Sequence, residues 1–203
     1  MNRSVSTIHD PIALFRAWYE SARHVGLPEP AAAALATVGP DGRPSVRVVL
    51  VRNFDENGFV FYTNLQSRKG RDLGGGAKQN VPVSLNFYWP PLTRQIRIDG
   101  LASPITDAEA DAYWVTRPRG SQVAAWASPQ SEPLAGGRSD LEARYAAMER
   151  KFEGEDVPRP PFWSGFRVVP ECLEFWEGRE NRLHVRTLYR REGPGWVAET
   201  LGP

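Results

Sequence analysis

The chain carries one cysteine, Cys172, which excludes an internal disulfide framework and fits a reducing cytoplasm. Its place between Glu171 and Leu173 in a strand-like run favours a buried structural thiol over a nucleophile. The three histidines, His9, His24 and His184, lie far apart, and with a single cysteine there is no zinc-type spacing, so no metal site is expected. No charge of one sign dominates. The 25 Lys and Arg stand against 24 Asp and Glu, which gives no global reason to expect a nucleic-acid or acidic-membrane partner. Long apolar runs are missing: residues 31–38 are far too few to span a bilayer, and the N-terminus lacks the apolar stretch of a signal peptide. The glycine run Gly74-Gly75-Gly76 is not followed by Lys-Ser/Thr and lacks the spaced fingerprint, so it reads as a loop and not as a nucleotide-binding turn. No Gly-x-Ser-x-Gly elbow supports serine hydrolase chemistry.

What is present is a helix followed by a meander. Asp10-Pro11 reads as an N-cap and a first-turn proline. Ile12, Phe15, Trp18 or Tyr19, Ala22 and Val25 then recur at helical spacing, and Gly26 and Pro28 end the helix. From Ala33 on, short apolar runs alternate with turn chemistry. Residues 33–38 lead into Gly39-Pro40-Asp41-Gly42, residues 45–52 lead into Asp55-Glu56-Asn57-Gly58, and residues 59–63 follow. Residues 81–89 and 95–102 read as longer strands joined across Pro90-Pro91. Thr106 to Glu109 and Ser139 to Glu142 carry the capping-box pattern and predict helices over residues 107–115 and 140–152. Beyond the proline-rich residues 157–161, four strands are expected near Phe166, Phe175, Leu188 and Val197. This is the pattern of an antiparallel barrel or sandwich, not of a doubly wound sheet. With 41% hydrophobic residues and no internal repeat, one domain over residues 1–203 is expected, residues 1–9 being a flexible N-terminus.

Two runs carry candidate chemistry. In Phe175 to Arg186, the residues Arg182, His184 and Arg186 alternate, so a continuing strand would set all three on one face. Such a face suits an anion, because guanidinium offers a planar donor fork, but it equally suits a solvated sheet edge. Ser67-Arg68-Lys69-Gly70 follows a strand and combines a hydroxyl, two cations and the start of a short helix. That set suits a phosphate and also an ordinary basic helix start.

The wording of these runs resembles the pyridoxamine 5'-phosphate oxidase family. The resemblance extends through Arg47 to Arg52, Phe61 to Gly70, Phe87 to Pro90, Arg94-Gln95, Arg117 to Gln122 and Trp126 to Ser131, in family order over nearly the whole chain. It implies a mainly β fold with peripheral α-helices, an antiparallel Greek-key FMN-binding split barrel. It further implies a homodimer whose flavin sites are each built from both subunits. The activity implied is FMN-dependent oxidation of pyridoxamine or pyridoxine 5'-phosphate by oxygen, giving pyridoxal 5'-phosphate and hydrogen peroxide. No nucleic acid or membrane partner is implied, and a cytoplasmic location is expected.

The resemblance also implies residue roles. Arg68 and Lys69 match positions that hold the FMN phosphate, and Arg47 matches a second FMN contact. The strand Arg47, Val48, Val49, Leu50, Val51 and Arg52 would run along the flavin, flanked by Tyr62 and Thr63. Gln95, Gln130, Ser131, Trp176 and Arg186 match further FMN positions. Arg52, Tyr113, Arg117 and Ser121 match the substrate-phosphate site; on spacing alone, Tyr113 and Arg117 also fit a plain i,i+4 helix contact. Arg182, Leu183 and His184 match the substrate-binding element, Arg182 and His184 being the residues over the substrate ring. The chain departs from the family at Arg52, usually lysine, and at Val185, usually aspartate. Arg3 is its only early cation, so the family's basic N-terminal closing segment has no evident match. Two other readings share the fold: a flavin oxidase acting on a phenazine precursor, which keeps the Arg-Leu-His element, and a non-catalytic module that binds FMN or pyridoxal phosphate.

Overall fold

A computed structural model describes residues 10–203; the expected flexible segment, residues 1–9, lies outside the described residues. Helix α1 (Pro11–His24) opens as its sequence predicts, with the Asp10 carboxylate accepting from the Ile12 N–H at 2.9 Å. Strands β1 (Ala32–Val38), β2 (Pro44–Asp55) and β3 (Gly58–Asn64) form the first meander. After the short helix α2 (Arg68–Asp72) come β4 (Val81–Trp89) and β5 (Arg94–Pro104). Helices α3 (Asp107–Trp114), α4 (Arg119–Ala127) and α5 (Gly137–Lys151) follow, then β6 (Trp163–Glu177), β7 (Val185–Glu192) and β8 (Gly195–Leu201).

All pairings are antiparallel, in the order β3-β2-β1-β4-β5-β6-β7-β8, and β3 also pairs with β6. That last pairing closes strands β1 to β6 into a barrel, and β7 and β8 extend it from β6. Placing β4 beside β1, after the β1-β2-β3 meander, is the Greek-key step. The barrel interior holds Leu35, Phe59, Phe61, Leu85, Phe87, Ile96 and Phe166, all fully buried. Phe15 of α1 seals it, with its ring centroid 4.9 Å from Phe59 and 5.1 Å from Phe87. A second core forms outside the barrel, where α3, α4 and the chain after α5 cover β3 and β6 through Val60, Ala110, Trp114, Val123, Phe152 and Trp163. No helix among the described residues is long and apolar enough to cross a membrane.

Several local expectations need correction. The strands expected near Phe166 and Phe175 are one continuous strand, β6. Pro170 lies within it beside a bulge, because the register shift at Asp99/Gly100 leaves Glu171 of β6 as the extra residue. Gly100 is required there: an added Cβ would lie 2.3 Å from the Val169 carbonyl oxygen. Thr106 and Glu109 form the predicted capping box. Ser139 does not cap α5, which starts earlier at Gly137; its hydroxyl donates to the Gly136 carbonyl instead. Cys172 is half-buried rather than fully buried.

Candidate active site

The second core stops short of the outer face of β2, leaving a cavity of about 460 Å³. Val48, Val49, Leu50 and Arg52 line it from β2, Tyr62 and Thr63 from β3, and Lys69 from α2. Tyr113, Arg117 and Ser121 enter from α3 and the start of α4, with Gln130 and Trp163 completing the wall. The β2–β3 pairing skips a residue between Val51 and Asn53, so Arg52 is the bulged residue. A bulge re-aims its side chain. Arg52 lies at this edge with its guanidinium 3.4 Å from Glu29.

Lys69 is buried although it is a cation, and its hydrogen-bond partners are neutral. Its Nζ lies 3.1 Å from Thr63 Oγ1 and 3.0 Å from Gln130 Oε1. Burial, reinforced by the nearby Arg47 charge, pulls its pKa down from 10.5 to about 8. A desolvated ammonium with no carboxylate partner is matched to an incoming anion. Arg47 points the same way but is differently held. It donates to Thr37 Oγ1 and Ser45 Oγ at 2.6 Å each, and lies 3.5 Å from Asp72. Ser67 is not free to serve a ligand, since it is fully buried, caps Gly70 N–H and donates to the Asn64 carbonyl. Arg68 is exposed, and Ser131, beside Gln130, takes a positive φ of 73°. Of the three cations only Lys69 lines the cavity; Arg47 and the exposed Arg68 lie near it outside the lining, and together they are a donor set that fits a flavin phosphate.

A pH effect follows from Lys69 alone. Its folded pKa lies below its unfolded value, so between about pH 8 and 10.5 the unfolded chain holds a proton that the folded chain has lost. This group therefore makes the ligand-free protein more stable as pH rises through that window. Lys69→Met is expected to remove the rise and to stabilise the ligand-free protein at pH 7 by on the order of 1–3 kcal/mol. Chemical denaturation of the flavin-free variant at pH 7 and pH 9.5 checks both; a destabilised Lys69→Met at pH 7 would contradict the burial argument.

Arg117 sits in the cavity wall, and among the described residues it has no salt bridge and its buried Nη1 has no hydrogen-bond partner. The i,i+4 neighbours Tyr113 and Arg117 do interact, the phenol opposing the fall in the Arg117 pKa, and each also has aromatic neighbours. Tyr113 stacks on Tyr62, with centroids 3.9 Å apart and rings 11° from parallel, and Arg117 lies over indole rings.

A second group forms elsewhere. Gln95 pairs in register with Trp176, and Trp176 pairs with Arg186, so the three make one row across β5, β6 and β7. Arg186 is held by the buried Glu174, 2.7 Å from its Nε, and by the Gly202 carbonyl. The expected single face bearing Arg182, His184 and Arg186 does not exist. Asn181 and Arg182 have φ of 55° and 60°, which ends any strand, and β7 begins only at Val185. Arg182 and Leu183 are exposed on this turn, as is Val185. His184 folds back to Trp176, with ring centroids 4.7 Å apart, and its Nδ1 accepts from the Arg179 N–H. None of Gln95, Trp176, Arg182, Leu183, His184 or Arg186 lines the cavity around Lys69 and Arg117. Conversely, Trp163 lines that cavity, with the buried Trp114 packed behind it, and the sequence does not single out either, because a tryptophan reads by default as core.

Residues 21–152 match the family model described as pyridoxamine 5'-phosphate oxidase, and residues 163–203 match the one described as pyridoxine 5'-phosphate oxidase C-terminal dimerisation region. A pyridoxine/pyridoxamine 5'-phosphate oxidase of Rubrobacter xylanophilus is 58% identical over 96% of this chain and 87% of its own length. One of Myxococcus xanthus is 54% identical over 96% and 92%. Among solved structures, PhzG from Burkholderia lata, in complex with tetrahydrophenazine-1-carboxylic acid, superposes with a TM-score of 0.88 at 36% identity, covering 98% of this chain and 95% of its own.

Proposed function

The chain belongs to the pyridoxamine 5'-phosphate oxidase family, and on that premise we propose that it oxidises pyridoxamine or pyridoxine 5'-phosphate to pyridoxal 5'-phosphate. Oxygen is the acceptor and is reduced to hydrogen peroxide; the alcohol substrate gives the aldehyde directly, and the amine substrate also consumes water and releases ammonia. FMN, when bound, supplies the hydride acceptor for the C4' carbon and the reaction with oxygen. The protein's part is binding and orientation.

The observation that carries the substrate reading is the buried, unpartnered Arg117 Nη1 in the cavity wall. Together with Arg52 and the hydroxyls of Tyr113 and Ser121, it supplies donors for a phosphate dianion. Lys69, Arg47 and Arg68 would hold the flavin phosphate. Val48 to Val51, with Arg52, Tyr62, Thr63, Gln130 and Ser131, would line its length. Gln95 belongs to the remaining cofactor contacts. Trp176 and Arg186 would reach the cofactor from the second subunit, which fits their absence from the cavity. Arg182 and His184 would orient the substrate ring, and Leu183 would pack beside it. The match to a C-terminal dimerisation region supports the homodimer. A cytoplasmic location is the companion proposal. The likeness to PhzG supports the fold equally for a phenazine-type substrate, but such a substrate offers a carboxylate monoanion, whereas Arg117, Arg52 and the two hydroxyls suit the dianion of a phosphate.

The purified protein is expected to be yellow and to release FMN, not FAD, on denaturation. Arg68→Ala is expected to weaken FMN by roughly 1.5–3 kcal/mol, the range for a hydrogen bond to a charged group. Chromatography of the released flavin and titration of the flavin-free protein test this; colourless protein that fails to take up added FMN would reject the flavoenzyme reading.

A further inference from the structure

We propose that Trp163 and Trp114 are positioning residues that hold the Arg117 guanidinium against their ring faces, in place of a carboxylate, and so keep its donors free for the substrate phosphate. The inference rests on the reading of Arg117 as a phosphate anchor.

Arg117 Cζ lies 4.8 Å from the Trp163 ring centroid and 5.0 Å from that of Trp114. The two indoles meet at 68° with centroids 4.8 Å apart, forming a corner into which the guanidinium fits. Both rings are fixed. Trp114 is 3% exposed and its Nε1 donates to the Val157 carbonyl at 2.7 Å. Trp163 is 5% exposed, and the Tyr62 ring lies parallel to it within 6° at 5.4 Å. The Tyr113 ring is near-parallel to both, 3.9 Å from Tyr62 and 6.3 Å from Trp163.

Other arginines of the chain are held differently. Arg159 is gripped by Asp107 and Asp111, Arg167 by Asp55 and Glu109, and Arg186 by Glu174. A carboxylate occupies the edge of the guanidinium, which is where its N–H groups point, and cancels its charge. An aromatic face does neither. It offsets part of the desolvation through the ring quadrupole while leaving the edge and the net charge available. Arg117 has that second arrangement: burial lowers its pKa, and only the Tyr113 phenol opposes the shift. A carboxylate at this place would compete with a phosphate dianion; two indoles do not.

The test is equilibrium binding of pyridoxal 5'-phosphate and of unphosphorylated pyridoxal to the purified holoprotein by calorimetry, in wild type, Trp163→Leu, Trp163→Phe and Trp114→Phe. Trp163→Leu is expected to weaken the phosphorylated ligand by about three- to thirty-fold, the span of a desolvated cation–π contact, and free pyridoxal by less than about two-fold. Trp163→Phe is expected to recover most of the loss. In steady state the same variants are expected to raise KM for the phosphorylated substrate with little change in kcat. If Trp163→Leu does not fold, the two Phe variants decide: a smaller loss confined to the phosphorylated ligand supports the proposal. Equal weakening of both ligands, or no weakening, would show that the tryptophans serve only the core and overturn it. Should wild type itself bind both ligands equally, the phosphate reading of Arg117 fails first and takes the proposal with it.

Discussion

Arg117→Ala is expected to raise KM for pyridoxamine 5'-phosphate by roughly 10- to 100-fold, the factor for losing a hydrogen bond to a charged group, with kcat changing little. A phosphate remote from the reacting carbon contributes the same binding in the ground and transition states, so its anchor acts on KM. Arg182→Ala is expected to behave differently and lower kcat as well, because it is proposed to lie over the ring that reacts. Wild type is expected to turn over free pyridoxamine poorly. In Arg117→Ala the gap between phosphorylated and free substrate narrows, since the variant no longer reads the phosphate fully. Steady-state kinetics on both substrates with the three proteins checks this. An Arg117→Ala enzyme that loses activity equally on both would mean that the buried Nη1 donor serves the fold and not the substrate.

The second large effect is restoration of activity by mixing two dead chains. Lys69 lines the cavity between β2, β3 and α3, whereas Arg186 sits in the Gln95-Trp176-Arg186 row on β5, β6 and β7. If each site draws Lys69 from one subunit and Arg186 from the other, Lys69→Ala and Arg186→Ala are each inactive as homodimers. A hybrid dimer then has one intact site and one doubly broken one. Random mixing makes half of the dimers hybrid, so about a quarter of wild-type sites are expected to return on co-expression. Homodimers of either variant that keep activity, or mixtures that gain none, would contradict a site shared in this way.

Much of the barrel was legible because its determinants are local. The Pro-Asp-Gly and Asn-Gly turns, the Asp10 cap and the Thr106–Glu109 box each act over a few residues, and each element begins where they place it. The errors came from non-local effects. The strands expected near Phe166 and Phe175 merge into β6, which accommodates Pro170 at a register shift opposite Asp99/Gly100 that no local pattern announces. Helix α4 was not foreseen, since its run from Arg119 to Ala127 has no side-chain cap to announce it. The alternation of Arg182, His184 and Arg186 suggested a strand face, and two consecutive left-handed residues defeat it. For the site, the family motif named residues without saying which come together. Only the fold separates the Lys69–Arg117 cavity from the Trp176–Arg186 row. The aromatic corner around Arg117 left no periodic trace, because Trp114 and Trp163 meet across 49 positions of sequence through α3 and β6.

The most direct measurement of the central claim is product formation by the purified FMN-loaded protein in air. Supplied with pyridoxamine 5'-phosphate, it is expected to yield pyridoxal 5'-phosphate and hydrogen peroxide in equal amounts, and to turn over unphosphorylated pyridoxamine far more slowly. Absence of peroxide despite bound flavin would contradict the oxidase and leave a binding module, and equal rates on the two amines would contradict the phosphate site and point to a phenazine-type substrate.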